Sequence, residues 1–108
     1  MSNLFRDPGL APDGEERFEA LLRGPDGLLV ERIVSHGQVT PEGAWFDQDL
    51  DEWVLVLEGE AVLGFEDGSS VRLARGDWHF LPRAKRHRVD HTSTPCIWLA
   101  VHGDLRRG

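Results

Sequence analysis

Apolar residues along this chain come in short runs separated by turn residues, and that spacing predicts strands rather than helices. The run at 28–35 ends at Gly37 and is followed by Pro41 and Gly43, and the run at 53–57 ends at Glu58-Gly59. The run at 61–65 closes on Asp67-Gly68, a strong hairpin signal because glycine accepts a positive φ. Runs at 71–73, 78–81, 87–91 and 97–102 follow, punctuated by Gly76-Asp77 and Pro82. Short β-branched or aromatic runs at such close intervals mean a sandwich or barrel. One segment competes. At 15–22, Phe18, Leu21 and Leu22 fit helical spacing, but two turns make a marginal helix. The alternative pairs it with 28–34 across the turn Gly24-Pro25-Asp26-Gly27, and the hairpin is the expectation. The Pro-, Gly- and Asp-rich stretch 1–14 reads as an irregular arm, leaving 15–108 as one domain.

Strand alternation gives these runs faces. Glu52, Val54 and Val56 share one face of their strand, and His87, Val89 and His91 share one face of theirs. If both faces look inward, Glu52 and His87 converge. A carboxylate directly ahead of the apolar run Trp53-Val54-Leu55-Val56-Leu57 is costly to bury unless it is paired or bound to metal, so Glu52 stands out.

Two spacings recur around these residues. Glu52 is followed by six residues and then Gly59; Gly76 is followed after five residues by Pro82, after four more by His87 and after three more by His91. This pattern resembles the two motifs of the cupin superfamily, and in particular its small bacterial single-domain members. The resemblance implies an all-β, double-stranded β-helix or jelly-roll barrel. It also implies a pocket able to hold a divalent metal ion and, in some relatives, dioxygenase-like or isomerase-like activity. The first motif is degenerate. Its His-x-His falls on Phe46 and Gln48, or with the alternative spacing on Trp45 and Asp47, and neither pair contains histidine. The implied metal ligands are therefore Gln48 (or Asp47), Glu52 and His87, an oxygen-rich set suited to Mn, Fe or weakly held Zn or Ni. His91, standing where the family has Asn, is the implied acid–base or supporting group. His36, Gln38, His91 and His102 are the residues that would fill the vacant ligand positions if their strands face the same cavity.

Composition narrows the classes further. The chain has 108 residues, enough for one core, with a formal net charge of −7, which speaks against binding nucleic acid or anionic lipid through its surface. Its single cysteine, Cys96, fits a reducing compartment, and no stretch reaches the length of a membrane span. The first ten residues lack a basic region followed by an apolar run, so no signal peptide is expected and the default location is the cytoplasm. The basic cluster 83–88 reads as a solvated loop or as a pocket rim for a small polar or anionic molecule. Four tryptophans exceed what one small core needs, so a homodimer is expected. Three functions remain: a metal-dependent enzyme, a non-catalytic small-ligand binder, and a dimeric interaction protein whose cavity is filled with side chains.

Overall fold

The computed structural model describes residues 3–108; Met1 and Ser2, the start of the predicted arm, lie outside them. Eight strands form: β1 (Arg17–Arg23), β2 (Leu29–Ser35), β3 (Asp51–Glu58), β4 (Glu60–Phe65), β5 (Ser70–Ala74), β6 (Trp78–Leu81), β7 (His87–Thr92) and β8 (Cys96–Gly103). They make two antiparallel sheets, a five-stranded one in the order β1-β2-β8-β3-β6 and a three-stranded one in the order β5-β4-β7. This is the all-β architecture that the run pattern predicts, in the jelly-roll form that the resemblance implies. Each predicted run is a strand to within two residues at its ends, and the 15–22 segment is β1. Its hairpin with β2 wins over a helix because pairing with β2 satisfies its backbone through a ladder from Arg17↔Val34 to Arg23↔Leu29.

The two sheets face each other and close the barrel at one end with an apolar core. Ile33, Val54, Val56, Ala61, Leu63, Phe65, Leu73, Leu81, Cys96, Trp98 and Ala100 pack there in one cluster. Two sharp turns make the closure. Gly59 joins β3 to β4 at φ 84°, and Gly76 precedes β6 at φ 87°, donating its N–H to the Val56 carbonyl at 2.7 Å. Both are left-handed conformations that glycine adopts without penalty.

Two tethers outside the barrel complete the frame. Arg32, 7% exposed on the outer face of β2, ion-pairs with Glu19 at 2.6 Å and donates to the Leu4 carbonyl of the irregular N-terminal arm at 3.1 Å. At the other end Asp51 accepts from the Arg83 backbone at 2.8 Å, from the Arg83 guanidinium at 3.0 Å and from the Leu105 backbone at 3.0 Å. The C-terminal tail is thereby fastened to the start of β3.

Candidate functional site

At the open end of the barrel, alternation turns polar side chains inward from four strands. Glu52 of β3 pairs with His102 of β8, Glu31 lies on β2, and His87 opens β7. Their walls are apolar: Ile33, Val54, Leu63, Leu81, Val89 and Trp98 surround a cavity of about 80 Å³. The cavity is not filled with side chains. Glu16, Phe18 and Phe46 line it as well, and both phenylalanines are exposed, so they form its mouth.

The polar groups form a connected row. The His102 Nε2 donates to Glu31 Oε1 at 2.9 Å and stands 3.7 Å from Glu52 Oε2. On the other side of the same carboxylate, His87 Nε2 lies 3.8 Å from Glu52 Oε1, beyond hydrogen-bond length. The Nδ1 of His87 faces the Lys85 carbonyl at 3.1 Å, and since a carbonyl cannot donate, Nδ1 carries the proton. In the neutral ring the Nε2 lone pair then points at the cavity. Phe46 stacks on the His87 ring with centroids 5.5 Å apart, and mutual backbone hydrogen bonds between the two residues hold it there.

Burial sets the electrostatics. The Glu52 side chain is 7% exposed, and desolvation pushes its carboxyl above the usual range against the opposing pull of His102 and His87 and a hydrogen bond from Gln48. The hydrogen bond to Glu31, with the charge of Glu52 behind it, raises the imidazole of His102 despite partial burial. Partial burial also raises Glu16 at the mouth.

The structure brings Gln48, Glu52 and His87 together and leaves His91 outside. Alternation places His91 with His87 and Val89, but a bulge intervenes: Leu63 pairs with Val89 and its neighbour Val62 with His91, so Asp90 is an extra residue. The bulge turns His91 to the outer face, where its ring stands 3.4 Å from Glu60 and is half exposed. His36 and Gln38 also miss the cavity. The His36 ring pairs with Asp7 of the arm at 3.1 Å, and the Gln38 side chain donates to the Gly14 carbonyl. Asp47 is exposed. Glu31 is the residue that sequence reasoning missed. It shares the inward face of β2 with Ile33 within an apolar run, the same signal that singled out Glu52.

The basic cluster does not rim the pocket. Arg83 is engaged by Asp51 and Asp104, Arg86 by Glu66 and Arg88 by Asp90, while none of them lines the cavity. A larger groove of about 460 Å³ lies on the outer face of the five-stranded sheet, among Trp53, Trp78, Phe80, Val101, Leu105 and Arg107. Its lining holds no side-chain carboxylate or imidazole, in contrast to the smaller, interior cavity.

The side chains do not make a ready coordination shell for a divalent metal. His87 and His102 address opposite oxygens of Glu52, and the Nε2 of His102 is already committed to Glu31. Among the described residues no group of three His, Cys, Asp or Glu side chains gathers in metal-holding geometry. Nor is any helix among them long and apolar enough to cross a membrane.

Comparison with known proteins agrees with this fold. A crystal structure from Ralstonia eutropha JMP134, provisionally described as a mannose-6-phosphate isomerase, is 42% identical over 97% of this chain and 98% of that one, with a TM-score of 0.87. A cupin superfamily protein from Desulfitobacterium hafniense DCB-2 is 20% identical over 84% and 79% of the two chains, with a TM-score of 0.71. A cupin-2 domain protein from Shewanella frigidimarina is 19% identical over 79% and 78%, with a TM-score of 0.65. No curated protein matches. The family model described as the cupin domain matches residues 32–102, from Arg32 in β2 to His102 in β8, and the chain belongs to that family.

Proposed function

We propose that the barrel interior is a small-molecule site in which Glu52 is the working acid–base group, in the manner of an isomerase that moves a proton. One observation carries this reading: a carboxylate more than nine-tenths buried lies between two imidazoles at the base of an apolar cavity. A carboxyl raised by desolvation exchanges its proton near neutral pH more readily than a solvated one, which suits general acid–base work. Glu31 orients His102 as the proton-bearing partner on one side, and on the other His87, its Nδ1–H held by the Lys85 carbonyl, aims Nε2 at Glu52. Cys96 takes no part, since burial pushes its thiol up to about 12. That unreactive, unpaired thiol supports a cytoplasmic setting.

The activity in the description of the Ralstonia protein fits this cavity poorly. A sugar phosphate brings a dianion and about 16 heavy atoms, whereas the cavity is about 80 Å³, well below the roughly 300 Å³ and more of ordinary ligand pockets, and no Lys or Arg lines it. The ligand we propose is correspondingly small.

A second reading keeps a divalent ion (Fe, Mn, Ni or Zn) on Gln48, Glu52 and His87. It is favoured by the bare Nε2 of His87 opposite Glu52 Oε1, a tautomer fixed from behind by a backbone carbonyl as metal-binding histidines are. Elemental analysis of protein purified without chelators, together with NMR titration by fragments of up to about six heavy atoms, tests both. We expect substoichiometric metal and fragment-induced shifts at the Trp98 indole N–H, whose side chain lines the cavity. Stoichiometric metal that is lost in His87→Ala would establish the second reading instead. A Trp98 signal that no fragment moves would end the interior-site reading.

A further inference from the structure

The charge and shape of the cavity say more about its ligand than its acid–base groups do. Three carboxylates, those of Glu16, Glu31 and Glu52, line it, and neither lysine nor arginine does. His102 is bonded to Glu31 at 2.9 Å and stands 3.7 Å from Glu52 Oε2, so one imidazole serves two of the three carboxyl groups and Glu16 has no basic side chain beside it in the cavity. Glu52 Oε1 and His87 Nε2 also face the same space 3.8 Å apart, beyond hydrogen-bond length, and with the His87 ring neutral both are acceptors. Two acceptors at that separation suit one donor-rich group bonded to both at about 2.8–2.9 Å. Anions and carbonyl acceptors would meet repulsion there. The mouth adds a second selection, because the exposed rings of Phe18 and Phe46 flank the entrance and aromatic faces attract cations.

We propose that the cavity selects a small organic cation, a primary ammonium on a short carbon skeleton, with its nitrogen between Glu52 Oε1 and His87 Nε2. This rests on the reading of the barrel interior as the ligand site. The ammonium supplies three donors and a positive charge, the two things the cavity lacks. Its alkyl part lies along Val54, Leu63 and Leu81 toward the Phe18–Phe46 mouth. The volume limits the buried part to about three or four heavy atoms.

The test uses the full chain, treated with chelator and dialysed, and three probes of one size: n-propylammonium, 1-propanol and propionate. Binding is followed by calorimetry and by the Trp98 indole N–H resonance at constant pH. We expect n-propylammonium to bind at least about tenfold more tightly than 1-propanol, with propionate producing no shift. Glu52→Gln should remove at least about tenfold of the ammonium affinity and weaken 1-propanol much less, because a neutral hydroxyl loses no charge pairing; Glu31→Gln, which alters the same charge balance, replaces it if the first variant does not fold. If propionate or 1-propanol moves Trp98 as readily as the ammonium does, the interior site stands and the cation selection falls. If binding of propionate appears only after Mn²⁺ or Zn²⁺ is restored, the selection also falls, in favour of a metal-held anion. If none of the three moves Trp98, the selection fails together with the interior-site reading.

Discussion

Replacing each of the two turn glycines by alanine separates backbone strain from crowding. Gly76 and Gly59 have nearly the same positive φ, 87° and 84°. A Cβ on Gly76 would meet nothing within 4 Å, so Gly76→Ala carries only the left-handed backbone cost of about 1–2 kcal/mol. A Cβ on Gly59 would press on the Ser93 hydroxyl and the Pro95 carbonyl and lie 3.2 Å from Cys96 Cα. Ser93 cannot turn aside freely, because its Oγ accepts from the Glu60 backbone at 2.8 Å and donates to the Pro95 carbonyl at 2.7 Å. Displacing it leaves the Glu60 N–H short of a partner, at about 1 kcal/mol, and shifting backbone in a packed corner adds about 1–3 kcal/mol. Gly59→Ala should therefore cost about 3–6 kcal/mol in all. At about 4–8 °C per kcal/mol for a domain of this size, the two variants should differ in Tm by at least about 8 °C. Urea unfolding at 25 °C together with calorimetry measures both. Equal losses, or a greater loss in Gly76→Ala, would refute the argument that Ser93 and Pro95 leave no room at Gly59.

Two further outcomes follow from other parts of the structure. Arg83 and two backbone N–H groups hold the Asp51 carboxyl well below the usual aspartate range, so the ionised form contributes stability above that range and loses it as pH falls through the depressed folded value. Asp51→Asn should thus be less stable than the parent at pH 7, with the gap closing below about pH 4, and a gap that is constant with pH would refute the assignment. For association, only Trp98 of the four tryptophans is in the core, while Trp78 is 54% exposed beside Trp53 at 6.1 Å between centroids. Light scattering should report a dimer that Trp78→Lys weakens, and a monomer at high micromolar concentration would remove the expectation.

Much of the fold was legible because its determinants are local. Asp67-Gly68, Gly76 and Gly59 mark turns whatever surrounds them, and the alternation of Glu52, Val54 and Val56 fixes the inward face of β3 within a few residues. The site was legible only in part, because two kinds of information are absent from local pattern. A bulge is a mismatch between strands: nothing in the residues from His87 to His91 reveals that Val62 and Leu63 pair with residues two apart, so the outward turn of His91 was hidden. The Glu31–His102 bond joins residues 71 positions apart, through β2–β8 pairing that no spacing announces. Glu31 carried a visible sign, a carboxylate on the buried face of an apolar strand, but its partner did not. The family motif directs attention to Phe46 and Gln48, which do line the cavity, whereas the second imidazole there comes from His102 on β8.

Asp51 and Glu52 are neighbours on β3, one turned outward to Arg83 and the tail, the other inward to the cavity, and the surroundings move their carboxyls in opposite directions. A single peptide unit thus separates a carboxyl held below the usual range from one pushed above it. The distinction lives in register, because a slip of one residue would exchange the two faces along the strand. Trp53 would then enter the barrel and Val54 and Val56 would meet solvent. Insertions and deletions should accordingly be far better tolerated in the loop around Pro41 to Ala44 than anywhere between Asp51 and Val56, where a single added residue turns the site inside out while leaving the composition of the chain almost untouched.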